Sequence, residues 1–493
     1  MVVCALLALF ALGGALPAGA TYDPTADTGS LYNTTLMTGA RQMWSAGFTG
    51  KGVDVALIDT GVVPVQGLKG DGKVFNADLS FESQNGNLAY LDTYGHGTHM
   101  AGIIAGRDQT EAPWSYSADQ TSFLGMAPDA RILNVKVADA HGGADVTQVI
   151  AGIDWVVQHG HDNGLNVRVI NLSYGTDSVQ PYALDALSYA VEQAWFHGIA
   201  VVVAGGNDGL TSLGLANPAH DPFVIAVGAA DTEGSNSYSD DRIAAFSDYG
   251  NAVRDPDLVA PGVHIESLRD PGSHLDQTYG ATATVGSRYF RGSGTSQAAA
   301  VVSGAAALLF QEHPWMTPDQ LKALLTSTAD PLPLASLALD PAQGHGELDL
   351  GRAMRASVPF WAGQLALRST GAGPIELSRG TRQVVLDGTA LTGEQDIFGN
   401  AFQTIAMAGR EASETAWSAG NWNGSTWTGS TWTGSAWTGS TWTGSTWTGS
   451  TWTGSTWTGS TWTGSTWTGS TWTGSTWTGS TWTGAAWSGS TWT

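Results

Sequence analysis

The chain has one cysteine in 493 residues, Cys4. A lone thiol near the N-terminus closes no disulfide within the chain and supplies no cysteine cluster for a metal. Positive charge is scarce as well: 20 Lys and Arg stand against 43 Asp and Glu, a formal net charge of −23. Such a field repels a phosphate backbone, which excludes nucleic acid as a partner. From 416 to 493 charge of either sign is missing altogether, so the acidic excess belongs to the residues before that point. Histidines are scattered without ligand spacing, so no zinc site is expected. Long membrane-spanning runs are lacking too. The apolar run at residues 2–16 falls short of the roughly 20 residues a span needs, but it suits the core of a secretory signal. Ala18-Gly19-Ala20 then offers a small-x-small cleavage site before Thr21, although no Lys or Arg precedes the run.

What is present from 41 to 357 is an alternation of apolar runs and amphipathic stretches, which predicts an α/β domain with a mainly parallel sheet covered by helices on both faces. The expected strands are 53–58, 131–137, 167–172, 199–204 and 223–228. The expected helices are 97–106, 145–159, 181–197, 296–311 and 318–327, the last capped by Thr317 with Pro318 at its first position. Residues 21–40 read as a polar, turn-rich extension over the surface, and 107–122 as a surface insertion. Residues 358–416 read as a connecting stalk, within which Arg382 to Leu386 alternates like a strand.

Three motifs stand in fixed order: Asp59-Thr60-Gly61, Gly95-His96-Gly97-Thr98-His99 and Gly294-Thr295-Ser296-Gln297-Ala298. Asp59 closes a buried strand, His96 lies between glycines at the start of a helix, and Ser296 opens the long apolar helix that follows. A serine hydroxyl is a weak nucleophile at neutral pH. It needs an imidazole to take its proton and a carboxylate to hold that imidazole. His99 falls one helical turn after His96 and is expected to serve packing. A second Asp-Thr-Gly, at 27–29, raises the two-carboxylate dyad of aspartic proteases, but Asp27 follows a polar segment where such a loop needs an apolar strand.

The motifs resemble those of the subtilisin-like serine proteases, whose triad runs in the order Asp, His, Ser. The likeness covers roughly residues 40 to 357 and includes Val201 to Asn207, Asn171 to Gly175, Leu258 to Gly262 and Gly344 to Asp349. It implies a three-layer α/β/α fold and an endopeptidase of broad specificity acting through an acyl-enzyme. It also implies Asp59, His96 and Ser296 as catalytic residues and Asn207 as oxyanion donor. Ser173, Tyr174, Gly175, Ala204, Gly205 and Gly206 become the segments of a roomy, mostly apolar specificity pocket, to which Asp208 adds tolerance for basic side chains. The chemistry requires no cofactor. Relatives often bind structural calcium, for which Asp78, Glu82 and Asp92 are candidate ligands, with no site mapped. Many secreted relatives carry a folding propeptide; here the first strand begins only about 32 residues after the proposed cleavage site, so the chain either folds without one or carries a shortened one. The chain departs from the family pattern after the nucleophile: Met and then Ala-Ser-Pro are usual, where Gln297, Ala298, Ala299 and Ala300 stand here.

The last segment, 417–493, is a five-residue repeat, mostly Gly-Ser-Thr-Trp-Thr, with sixteen Trp at every fifth position from Trp417 to Trp492. Glycine at this frequency costs a helix about 1 kcal/mol each time. An odd period along a strand throws successive rings to opposite faces, unless the chain folds back at each Gly-Ser. A loosely ordered tail and a regular β-rich stack both remain open. The domain expectation is thus 1–20 signal, 21–40 extension, 41–357 peptidase, 358–416 stalk and 417–493 repeat. The expected place of action is outside the cell or on its surface, with protein or peptide substrates and a polysaccharide or cell-wall contact through the Trp rings. The alternative is an adhesive, surface-binding protein that uses an inactive protease scaffold.

Overall fold

The computed structural model of the chain describes residues 22–423, less residues 71, 81, 83–87, 109–112, 213, 252, 334–340, 387–388 and 419–420, together with short strand segments between 431 and 492. The proposed signal at 1–20 lies outside the described residues.

Eight strands form the central sheet: β1 (Asp54–Asp59), β2 (Val74–Asp78), β3 (Arg131–Lys136), β4 (Val167–Leu172), β5 (Ala200–Ala204), β6 (Ile225–Asp231), β7 (Arg242–Ile243) and β8 (Leu258–Pro261). Their order is β2-β3-β1-β4-β5-β6-β7, with β8 also on β6, and only the β6–β7 pairing is antiparallel. A parallel sheet is covered on both faces, so its strands are apolar throughout, and β1 is buried along its whole length. The two-residue period of a strand splits its side chains between two cores. Val55 and Leu57 join one cluster, Ala56 and Ile58 the other.

The helices are α1 (Leu31–Met37), α2 (Ala40–Ser45), α3 (His96–Ala105), α4 (Val146–His159), α5 (Ala186–Phe196), α6 (His274–Ala283), α7 (Thr295–Glu312), α8 (Pro318–Thr328), α9 (Leu350–Arg355), α10 (Ile375–Arg379) and α11 (Thr404–Ala412). Residues of α2, α3, α7 and α8 fill the first cluster, and residues of α4, α5, α10 and α11 the second. The result is three layers, α/β/α. Local chemistry sets the boundaries: Asp145 and Gln148 form a reciprocal cap on α4, and Thr317 and Gln320 one on α8 ahead of Pro318.

Two stretches differ from expectation. Residues 21–40 are more than surface wrapping, because Ser30 caps α1 and Leu31 and Met37 are buried. The segment expected to be a stalk packs back onto α4 and α5, burying Ser369, Ile375, Arg379, Phe402 and Met407. Arg379 there makes a fully buried pair with Asp145, the cap of α4, at 2.7 Å. The first two Trp of the repeat follow it into the domain. The Trp417 indole donates to Ala151 O at 2.9 Å, and that of Trp422 to Asp154 at 2.7 Å. The alternation at Arg382 to Leu386 yields only a two-residue strand, Val385–Leu386, paired with Thr389–Ala390.

From 431 onward the described backbone is a succession of short strands centred on Trp. Each pairs in parallel with the strand twenty residues further on, Trp432 with Trp452, Trp472 and Trp492 in one sheet, and three more sheets do the same. The strand pairing thus recurs every four repeat units.

Candidate active site

The site gathers where β1, β4 and β5 end, at the carboxyl edge of the sheet, the usual place for a ligand in an open α/β fold. Asp59 is the last residue of β1. Its Oδ1 accepts from Thr60 N at 2.8 Å and lies 2.8 Å from His96 Nδ1. His96 opens α3, and Gly97 beside it leaves no room for a Cβ, which would collide with the Gly61 carbonyl. The imidazole is buried, and its Nε2 has no hydrogen-bond partner among the described residues. Burial depresses the pKa of His96, but the charge and hydrogen bond of Asp59 and the charge of Asp92 outweigh it, so the net shift is upward from 6.5.

Asp92 is the residue whose role the sequence reading missed. It accepts from Thr60 Oγ1 at 2.7 Å, Gly95 N at 2.6 Å and Thr98 N at 2.8 Å, and so ties the Asp59 turn to the start of α3. Its spacing, four residues before His96, was the available signal. Lys136, buried at the end of β3, adds hydrogen bonds to Thr60 O at 2.9 Å and Leu91 O at 2.5 Å. Asp78, Glu82 and Asp92, the candidate calcium ligands, each accept hydrogen bonds from the chain itself. Asp78 accepts from Ser80 and Tyr90, Glu82 from Thr93, Ala140 and Lys136, and Asp92 as described, so each carboxylate is met by donors of this chain. Among the described residues no group of three or more Asp, Glu, His or Cys is arranged to hold a metal.

Ser296 is the second residue of α7, which packs against α3. Asn207, three residues beyond β5, accepts from Thr295 N at 2.9 Å through its Oδ1, which fixes its carboxamide beside the start of α7. Ser296 and Asn207 line a cavity of about 810 Å³ together with Ser173, Tyr174, Gly175, Ala204 and Gly206. Gly205 does not line it, because its backbone is turned into the sheet, with its N–H on Val227 O at 2.9 Å. Unforeseen in the lining are Asp248, Thr381 and Arg382. Burial pushes the Asp248 carboxyl up to about 6 against the hydrogen bond from Asp208 N. His99 behaves as expected of a packed residue: it is buried, and burial with the nearby His96 charge lowers it to about 3, so it is neutral. Asp27 pairs with Arg291 while Asp59 pairs with His96, so the two Asp-Thr-Gly turns build no dyad.

The architecture and the placement of these side chains define a subtilisin-like α/β protein. The subtilase family profile matches residues 50–346, and the chain belongs to that family of serine-type endopeptidases. It is 39% identical over 288 residues to the serine protease AprX of Bacillus subtilis (strain 168), covering 57% of this chain and 62% of that protein. Subtilisin DY of Bacillus licheniformis is 34% identical over 294 residues, covering 59% of this chain and 88% of its own. The minor extracellular protease Epr of Bacillus subtilis (strain 168) is 33% identical over 286 residues, covering 57% of this chain and 36% of its own. The chain thus spans under two thirds of AprX and about a third of Epr. The structure of fervidolysin from Fervidobacterium pennivorans, a keratinolytic enzyme related to subtilisin, superposes with a TM-score of 0.52 at 25% identity, covering 70% of this chain and 49% of that one.

Proposed function

We propose that the chain is a secreted serine endopeptidase that cleaves peptide bonds through an acyl-enzyme. The observation that carries this reading is the buried Asp59–His96 pair, its carboxylate on Nδ1 at 2.8 Å and its Nε2 without a partner among the described residues, beside the helix at whose start Ser296 stands. Asp59 holds the tautomer in which Nε2 is the base. Ser296 Oγ attacks the scissile carbonyl as His96 takes its proton. His96 then gives that proton to the leaving amine, and water releases the acyl group by the same route. The carboxamide of Asn207 and the backbone N–H of Ser296 donate to the developing oxyanion, an interaction worth about 2.7–4 kcal/mol per donor in the transition state. Every proton in this scheme moves between side chains, substrate and water, so the chemistry asks for no metal or cofactor.

The roomy cavity beside Ser296 supports broad specificity, with denatured proteins or peptides as substrates. The apolar run at 2–16 supports export, in line with the extracellular relative Epr. Among the described residues no helix is long and apolar enough to cross a membrane. The Trp repeat is proposed to hold polysaccharide or cell-wall material. The test is direct. Ser296→Ala should lower turnover on denatured protein by about 10⁶-fold and abolish labelling by a fluorophosphonate. Retained activity in that variant would remove the triad assignment, and a wild-type chain that neither labels nor cleaves would leave only the adhesive scaffold.

A further inference from the structure

The residues that follow the protease fold are zipped along one wall of the substrate cavity. After β4 the chain runs through Gly175 to Gln180 along the cleft. Thr176 Oγ1 donates to Ser378 O at 2.6 Å, and Ser178 Oγ to Leu377 O at 2.7 Å. Thr381 N and Oγ1 both donate to the Asp177 carboxylate, the N–H at 2.7 Å. The buried pair of Arg379 with Asp145 anchors the helix from which this strip emerges. The strip ends on Arg382, whose Nη2 lies 2.7 Å from Asp208 Oδ2.

Asp208 directly follows Asn207, and both Asp208 and Arg382 line the cavity that holds Ser296. Their side chains are 44% and 22% exposed, whereas Ser173 and Ala204 are buried, so the pair sits at the open end of the cavity. The remaining charges in the lining leave Arg382 as the counterweight. Asp177 and Asp248 add carboxylates, Arg254 is committed to Asp257 at 2.7 Å, and burial keeps His220 neutral by lowering its pKa.

We infer that Arg382, supplied from outside the matched protease domain, is a specificity-determining residue that neutralises Asp208 and bars lysine and arginine side chains of the substrate from the cavity. The inference rests on the endopeptidase reading. With Arg382 in place, a basic side chain entering beside Asp208 meets a guanidinium already bonded to that carboxylate, and is repelled. A neutral side chain meets no such cost. Specificity here comes from a repulsive element as much as from the pocket walls.

The test compares kcat/KM for two peptides that differ only in carrying Leu or Lys at the residue donating the scissile carbonyl. Arg382→Ala should raise the Lys-to-Leu ratio about five- to tenfold, mostly through KM and less so at high salt. Arg382→Lys should keep the parent ratio, and adding Asp208→Asn to Arg382→Ala should cancel the gain. An unchanged ratio in Arg382→Ala with the same unfolding midpoint as the parent would overturn the inference. If the parent cleaves neither peptide and takes no fluorophosphonate, it is the endopeptidase reading that has failed.

Discussion

His96 is held by two carboxylates acting in different ways: Asp59 bonds its ring, and Asp92 fixes the backbone from which the ring projects. The ring bond has a consequence for pH. Burial alone would lower the pKa of His96, and the carboxylates raise it above 6.5. The base must be neutral to accept the serine proton, so kcat/KM should climb with pH through an apparent pKa above 6.5. Asp59→Asn should cut the rate by about 10⁴-fold and move that limb to lower pH, since burial then acts with less opposition. A pH profile of kcat/KM for both forms checks this, and an unmoved limb would show that Asp59 does not set the titration. At this scale the sequence was most informative. Asp59, His96, Ser296 and Asn207 each sit in a short local pattern that a turn or helix start demands. Asp92 works through hydrogen bonds to Thr60, Gly95 and Thr98 that only the folded chain brings together, and an acidic residue in a polar loop reads equally well as a metal ligand. Arg382 was hidden for the same reason, since its partner Asp208 is remote in the chain.

Among the elements, five predicted strands and five predicted helices reappear with ends shifted by a few residues, because buried parallel strands and long amphipathic helices carry strong periodicity. The region after 357 lacked that signal. Its helices α10 and α11 span five and nine residues, and tertiary bonds hold them more than internal ones do. Arg379 is the clearest case: it is fully buried, pairs with Asp145 and also donates to Gly393 O at 2.6 Å. Removing one partner of a buried pair strands the other charge, so Arg379→Met should cost about 3–5 kcal/mol in denaturant unfolding. Because α10 carries the strip that ends at Arg382, the same variant should also lose the parent's preference for Leu over Lys while still taking a fluorophosphonate. A loss under about 1 kcal/mol would place Arg379 on a solvated surface, against the geometry.

For the molecule as a whole, burial raises Asp154 and Asp221 to about 7 and Glu192, Glu266 and Asp270 to about 8, while Glu347 and Glu411 are raised well above the carboxylate range. In the unfolded chain all seven titrate near about 4. The folded state therefore binds more protons between these limits, and the stability these groups contribute is present below about pH 4 and lost as pH rises through about 8. His99, lowered to about 3, His220, also lowered, Lys73, lowered to about 7, and Lys322, lowered to about 8, act the other way across this range but are four groups against seven. In the inactive Ser296→Ala form the melting temperature should thus fall between about pH 5 and about pH 8; a rising curve would refute this, and catalysis and stability should pull in opposite directions across the range. The last whole-molecule question is where the body stops and the repeat begins. Composition puts that boundary before Trp417, but packing puts it after Trp422. That indole is buried and donates to Asp154, while Trp417 also exchanges backbone hydrogen bonds with the Gln158 side chain at 2.7 and 3.0 Å. A chain ending at 423 should keep the full-length unfolding midpoint and its hydrolysis of a small peptide. One ending at 416 should lose about 3–5 kcal/mol, the usual cost of emptying one large aromatic site, because it also leaves the Asp154 carboxyl without its donor. Both truncations should lose co-sedimentation with insoluble polysaccharide if the repeats after 423 bind it, and salt should matter little to the full-length retention because the repeat carries no charge to screen. Equal midpoints for the two truncations would return Trp417 and Trp422 to the tail. Retention that survives in the form ending at 423 would assign polysaccharide binding to the body.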